Sequence, residues 1–356
     1  MNRVVELRSD TFTLPTPRML RAAAEAPLGD DVYGEDPTVT ELERLSADLL
    51  GKEAACLMPS GTMANLTALL THSPRGGKAI VGAESDIYVY EAGGAAVLGG
   101  IVYEPVSAAE DGTLPLAAVV EACEVDADDP QFALPAVLSV ETPHNRRGGI
   151  PLSPGYLAEA AVVARAHSIA LHLDGARIFN AALALGVPAA ELAAHADTVQ
   201  FCLSKGLSAP IGSVLAGDAK SIDSARRLRK MLGGGMRQAG LIAACGIVAL
   251  TEMVDRLADD HANAARLAAG LAGVPGLRLD PEPPRTNMVF FSVDPEATAH
   301  TTASFIDAAH ARGVRVAELG RDRIRAVTHA GVDAEDVDHA VTVLAEVLAA
   351  APSAGR

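Results

Sequence analysis

The sequence predicts an α/β protein, with a large domain over residues 1–252 built on a mostly parallel sheet and a small α+β domain over residues 253–356. Short β-branched or Leu-rich runs alternate with longer Ala/Leu-rich stretches of helical period, the pattern of strands joined by crossover helices. The candidate strands each run straight into a polar cluster, and open α/β sheets bind ligands at the carboxyl ends of their strands. Beyond about residue 252 the texture changes to shorter, mixed elements, which sets the second domain apart.

Taken in order, Thr38-Val39-Thr40-Glu41 reads as a capping box opening an amphipathic helix with apolar Leu42, Leu45 and Leu49, closed by Gly51. Strands are expected at 55–58, 136–140, 169–173 and 198–203. The polar clusters that follow them are Ser60-Gly61-Thr62, residues 141–145, residues 174–177 and Ser204-Lys205. After a helical stretch at 241–257 come a Pro-rich turn (Pro281, Pro283, Pro284) and a strand at 288–293. A helix from Ala303, two further strand-like runs and a final helix at 334–348 complete the chain.

Composition narrows the function. Acidic residues outnumber basic ones by 45 to 29, a net charge of −16, which opposes attraction to nucleic acid or anionic membranes. No apolar run approaches the roughly 18–20 residues that span a bilayer. The opening Met1-Asn2-Arg3-Val4-Val5-Glu6 shows no signal-peptide pattern, so a cytoplasmic protein is expected. Cys56, Cys123, Cys202 and Cys245 lie far apart in apolar surroundings that suit a reduced compartment, and are read as core residues. The ten histidines show no metal-ligand spacing, and no metal is expected.

The chemistry concentrates at strand ends. Ser60-Gly61-Thr62 stands between a strand and a helix, so it reads either as an ordinary N-cap or as a phosphate cradle of free N–H groups. Asp174 ends one strand and Lys205 another, about thirty residues on. Lys–imine chemistry needs an amine that can lose its proton, and a pyridoxal ring serves as an electron sink only if an acid keeps its nitrogen protonated. One Asp and one Lys satisfy both needs. His144, in Glu141-Thr142-Pro143-His144-Asn145, carries an imidazole suited to proton transfer.

Residues 7–11 (Leu-Arg-Ser-Asp-Thr), 29–37, 59–65, 174–177, 204–207, Gly233-Gly234-Gly235-Met236-Arg237-Gln238 and Thr286-Asn287 together resemble the signature blocks of the L-threonine aldolases, in that family's order. The resemblance implies a pyridoxal 5′-phosphate (PLP)-dependent transferase-like large domain of fold type I. It also implies a homo-oligomer, usually a dimer of dimers, with active sites shared between subunits and a small amino acid as substrate. Under it Ser60, Gly61 and Thr62 cradle the phosphate, Asp174 meets the pyridine nitrogen and Lys205 holds the cofactor as a Schiff base. Ser9, Arg177 and Arg325 fall where the family binds the substrate carboxylate, with Arg177 also on the cofactor side. Arg237 falls where a neighbouring subunit's arginine approaches the phosphate, and His144 lies near the β-hydroxyl. Tyr33, inside a matched stretch, and Tyr90, four residues after Asp86, join the candidate substrate contacts. The implied reaction is cleavage of the Cα–Cβ bond of L-threonine, L-allo-threonine or another β-hydroxy-L-amino acid to glycine and an aldehyde.

Three places depart from the family pattern. Asp86 stands where a histidine normally stacks on the cofactor ring, Thr142-Pro143 where Asn-Thr is usual, and Ser208 where glycine is usual. Asp86, counted among both the catalytic and the cofactor-contacting candidates, has no π-face to stack. These changes leave the cofactor set intact and alter the substrate side, which keeps open β-elimination, transaldolation or another Cα-carbanion reaction on a related amino acid. A PLP-binding protein without catalysis is disfavoured by the intact lysine, aspartate and arginines. A dinucleotide oxidoreductase is disfavoured because no G-x-G-x-x-G joins a first strand to a helix.

Overall fold

A computed structural model describes residues 3–280 and 283–350; Pro281 of the expected Pro-rich turn and the opening Met1-Asn2 lie outside the described residues. The chain forms two compact units, one of Pro15–Val254 and one joining Met1–Leu14 to Asp255–Arg356. The N-terminal segment, expected with the large domain, thus groups with the C-terminal one. The cause is backbone pairing: Val5–Glu6 (β1) runs parallel to Val314–Arg315, and Leu7 donates to Arg315 and accepts from Val327, each at 2.8 Å.

The larger unit is built on seven strands: Ala54–Met58 (β2), Lys78–Gly82 (β3), Val102–Val106 (β4), Pro135–Glu141 (β5), Ala170–Asp174 (β6), Thr198–Cys202 (β7) and Ser213–Gly217 (β8). Their order is β2-β8-β7-β6-β5-β3-β4. Pairings are parallel from β7 through β6, β5 and β3 to β4, and antiparallel where β8 meets β2 and β7. Strands covered on both faces read as apolar runs, and Ile80, Val81, Leu138, Leu171, Val199 and Phe201 are buried accordingly.

Helices Pro17–Glu25 (α1), Pro37–Leu50 (α2) and Gly61–His72 (α3) open the unit. The expected capping box at Thr38 is not the start of α2. Asp36 is the N-cap, with Pro37 in the first turn, and Gly51 closes the helix in the left-handed region at φ 62°. Asp36 wins because its carboxylate, 1% exposed, serves more than one element. Oδ1 accepts from Thr38 and Val39, both at 3.1 Å, while Oδ2 accepts from Gly29 (3.2 Å) and from Gly240 (2.9 Å) at the start of the helix Gly240–Glu252. Gly240 has no side chain because a Cβ there would lie 2.6 Å from Asp36 Oδ1.

In the smaller unit, Leu277–Leu279 (β9), Met288–Val293 (β10), Ala317–Glu318 and Arg323–Val327 form an antiparallel sheet. Helices Leu257–Ala272, Thr302–Ala311 and Ala334–Ala349 belong to the same unit, whose core includes Leu267, Phe291, Phe305 and Leu344. Thr301 and Asp333 cap the last two helices through reciprocal capping boxes.

Replacing Asp36 by alanine strands several buried N–H donors at once, at about 1–3 kcal/mol for each group left unsatisfied. We expect Asp36→Ala to lose at least about 3 kcal/mol in urea unfolding, and Asp36→Asn to lose less. A loss below about 1 kcal/mol for the alanine variant would mean the clasp is not what holds these segments.

Candidate active site

The site starts from a polar stripe inside the sheet. Side chains alternate along a strand, so His172 and Asp174 of β6 share one face and stand in register with Thr198 and Gln200 of β7. All four are buried at 2% exposure or less. The Asp174 carboxylate accepts from Gln200 Nε2 (2.5 Å) and the Ala176 N–H (3.1 Å) on Oδ1, and from Asn65 Nδ2 (2.9 Å) on Oδ2. Burial raises its pKa, opposed first by the nearby Lys205 ammonium and then by the Gln200 and Asn65 donors; Asp86 raises it further. Asn65 Nδ2 also reaches Glu91 Oε1 at 2.8 Å, and burial with the proximity of Asp174 pushes Glu91 well above the usual carboxylate range.

Asn65 comes from α3, whose N-terminus meets the same place. Ser60 is the N-cap: its Oγ accepts from Met63 N at 3.2 Å and its carbonyl from Ala64 N at 3.0 Å. The Gly61 and Thr62 N–H groups remain as those a helix start offers to an anion. A Cβ on Gly61 would lie 2.9 Å from Cys202 Sγ, so the glycine lets the helix start press against the end of β7. Lys205 follows β7 in a tight loop in which Ser208 N donates to the Lys205 carbonyl at 2.9 Å. Ser208 holds φ 64°, the left-handed conformation that explains why the family pattern favours glycine there.

These groups converge on one cavity of about 390 Å³ lined by Ser60, Gly61, Thr62, Asp174 and Lys205, with Asp86 and Tyr90 also on its wall. A helix start for a phosphate, a buried acid for a ring nitrogen and an amine for a carbonyl carbon fit PLP as a donor set.

Asp86 is held from two sides. Its N–H donates to Glu141 Oε2 at 2.7 Å, and its Oδ1 accepts from Asn145 Nδ2 at 2.9 Å. Glu141 Oε1 accepts from Asn145 N at 2.6 Å, so one buried carboxyl ties the two loops together. Burial raises the Glu141 pKa well above its usual range, and Asp86 and Asp174 add to the rise. His144 lies between these groups in sequence, 2% exposed, with Nδ1 3.7 Å from Glu141 Oε1. Neither ring nitrogen has a hydrogen-bond partner among the described residues, and burial pushes its pKa down to about 4, so it is neutral near pH 7. It does not line the cavity. Tyr90 accepts at its hydroxyl from Arg146 and is 49% exposed.

The remaining expected residues are not on the wall of this cavity. Arg177, 7% exposed, caps the helix Ile178–Leu185 three residues after Asp174. Tyr33, 75% exposed, lines a separate cavity of about 680 Å³ together with Arg226, Arg229 and Lys230. Arg237 belongs beside it: its carbonyl accepts from Asp31 N at 2.9 Å and its guanidinium pairs with Asp30 at 2.9 Å. This chain therefore does not bring Tyr33 or Arg237 to the Lys205 cavity. Ser9 and Arg325 belong to the smaller unit, where Ser9 caps a short turn at Thr11 and Arg325 Nη2 donates to the Arg8 carbonyl at 3.1 Å. Sequence reasoning assigned no role to Asn65, Glu91, Glu141, Asn145, His172 or Gln200. Polar residues at alternate positions of otherwise apolar strands, Leu-His-Leu-Asp and Thr-Val-Gln-Phe-Cys, were the available signal for His172 and Gln200.

The chain matches the Beta-eliminating lyase family over residues 6–295. It is 47% identical over 336 residues to the low specificity L-threonine aldolase of Escherichia coli (strain K12), covering 94% of this chain and 96% of that one. It is 39% identical over 347 residues to the low-specificity L-threonine aldolase 1 of Arabidopsis thaliana, covering 97% of each. The solved threonine aldolase of Leishmania major shares the fold with a TM-score of 0.79 at 21% identity, over 96% of this chain and 98% of that one. The α/β architecture is fold type I of the PLP enzymes. With identity this high over nearly its whole length, the chain belongs to the L-threonine aldolase family of the beta-eliminating lyases.

Proposed function

We propose that this protein is a PLP-dependent lyase that cleaves the Cα–Cβ bond of L-threonine, L-allo-threonine or a related β-hydroxy-L-amino acid, giving glycine and an aldehyde. The observation that carries the reading is the convergence of Lys205, Asp174 and the α3 N-terminus on one cavity. Relatives called low-specificity L-threonine aldolases support it. Bound there, PLP supplies the electron sink for the pair left on Cα when the bond to Cβ breaks.

The chain's own residues do the rest. Ser60, Gly61 and Thr62 would hold the phosphate, Lys205 would hold the cofactor through its amine, and Asp174 would pair with the ring nitrogen and keep it protonated. Arg177 offers a planar fork suited to the substrate carboxylate. The β-hydroxyl proton must leave as the aldehyde forms, and neutral His144, or a water it orients, is the acceptor we assign, with Asp86 on the cavity wall as a further catalytic candidate. Asp86 lines the cavity whereas His144 does not, and this favours a second feature of the reading: preference for a substrate other than L-threonine itself.

A homo-oligomer with shared sites is part of the proposal. Arg237 lies off the Lys205 cavity, and Tyr33, Val97 and Met231 expose apolar surface at 75%, 74% and 68%. Among the described residues no helix is long and apolar enough to cross a membrane. The four buried free cysteines suit the cytoplasm, where we place the protein.

The direct test is formation of glycine and acetaldehyde from L-threonine, with a visible absorption band in the purified protein. Borohydride should fix the cofactor on a peptide containing Lys205; label on another lysine alone would refute the assignment. For the shared site, inactive Lys205→Ala and Arg237→Ala subunits should regain activity when mixed, through hybrid sites carrying neither defect. Demonstrated subunit exchange without recovery would count against it. Finally, Asp86→His should keep the visible band and raise kcat/KM for L-threonine relative to the preferred substrate by about tenfold, or ~1.4 kcal/mol. Efficient cleavage of L-threonine by the unaltered protein, with no gain in the variant, would make Asp86 a neutral substitution.

A further inference from the structure

The buried stripe on β6 and β7 continues past Asp174 into a chain of hydrogen bonds whose directions the chemistry fixes. Asn65 Nδ2 lies 2.9 Å from Asp174 Oδ2 and 2.8 Å from Glu91 Oε1, so the amide nitrogen, with two hydrogens, faces two carboxyl groups. Its oxygen must then face the other way, where His172 Nε2 stands at 3.0 Å. An amide oxygen only accepts, so His172 carries its proton on Nε2. His172 is fully buried and its pKa is pushed down to about 3 by that burial, so the ring is neutral and Nδ1 is an acceptor. Thr198 Oγ1, at 2.9 Å, donates to Nδ1. Thr198 has then spent its only proton, and His72 Nε2 at 3.0 Å donates to its oxygen.

The result is one directed series: His72 to Thr198, Thr198 to His172, His172 to Asn65, and Asn65 to Asp174. A flipped Asn65 would turn its oxygen toward the Asp174 carboxylate, a repulsive contact, and its NH₂ toward His172 Nε2, where a ring protonated on Nε2 offers no acceptor. The amide and the His172 tautomer therefore fix each other.

We propose that His172, acting through Asn65, is a positioning residue that locks the Asp174 carboxylate in the orientation and charge state required to meet the cofactor's ring nitrogen. Thr198 supports it by selecting the His172 tautomer. Asp174 is thereby given donors on the sheet side, from Gln200 Nε2 and Asn65 Nδ2, and none of them can take over its charge. The inference rests on the reading of this cavity as the PLP site.

The test compares full-length variants by PLP titration, read from the visible band, with thermal unfolding of the cofactor-free chain as a check on folding. His172→Leu should weaken PLP binding by about tenfold or more and lower kcat by more than it raises KM, as loss of a supporting partner behind a binding group does elsewhere. His172→Gln, whose amide can still donate to Asn65 Oδ1, should return PLP affinity to within about twofold of the unaltered protein. Thr198→Val removes one hydroxyl at constant shape and should weaken binding by about threefold. Equal PLP affinity in His172→Leu and the unaltered protein overturns the inference and leaves the cofactor site standing, as does a glutamine variant no better than leucine. If the leucine variant does not fold, unchanged PLP binding in Thr198→Val overturns it instead. Absence of PLP binding in the unaltered protein overturns the cofactor reading and this inference with it.

Discussion

The structure of the larger unit turns on keeping a carboxylate in the interior of a sheet. A buried charge without partners costs several kcal/mol, so Asp174 dictates what can surround it. Its neighbour on β7 must be an amide, and Gln200 is. A helix must cross the strand end close enough to deliver a second amide, and α3 does so with Asn65. Gly61 and Asn65 are four residues apart and therefore on one face of that helix, separated by about one turn of 5.4 Å. The same contact that satisfies Asp174 thus sets the α3 helix start at a fixed height above it. Gly61 is glycine because the contact is so close: Cys202 Sγ would stand 2.9 Å from its Cβ.

Much of this was legible in the sequence, and the exceptions have physical causes. Strand positions followed from apolar runs, because both faces of the sheet are covered, and the observed β5 and β6 differ from the expected runs by a residue at each end. The start of α2 was misplaced because Thr38-x-x-Glu41 satisfies a local capping rule, whereas Asp36 is selected by a contact with Gly240, 204 residues away. Local patterns cannot report such a partner. The N-terminal segment was assigned to the wrong unit for the same reason, since β1 finds its pairing partner more than 300 residues along the chain.

The site divides similarly. Lys205, Asp174 and Ser60-Gly61-Thr62 announced themselves because each needs a distinctive residue type at a strand end. Asn65, Glu141 and Gln200 did not, because an amide or a carboxyl in a helix or strand is ordinary until its partner is known. Glu141 is the clearest instance: its side chain is given over to the backbone N–H groups of Asp86 and Asn145, and its position is intelligible only with both loops in place.

Asp86 shows how the stripe and the substrate side constrain each other. A neutral imidazole at this position would add no charge beside the buried acids, whereas the aspartate raises the pKa of both Asp174 and Glu141. Two carboxyl groups in a low-dielectric site resist ionising together. If Asp174 is to stay anionic, its donors must offset both its burial and the added repulsion. Lys205, Gln200 and Asn65 pull in that direction, and Asn145 holds Asp86 Oδ1 toward its own amide. The departure at Asp86 is therefore tolerable only on a scaffold whose donors are already fixed, which is the condition the Asn65–His172–Thr198 series meets.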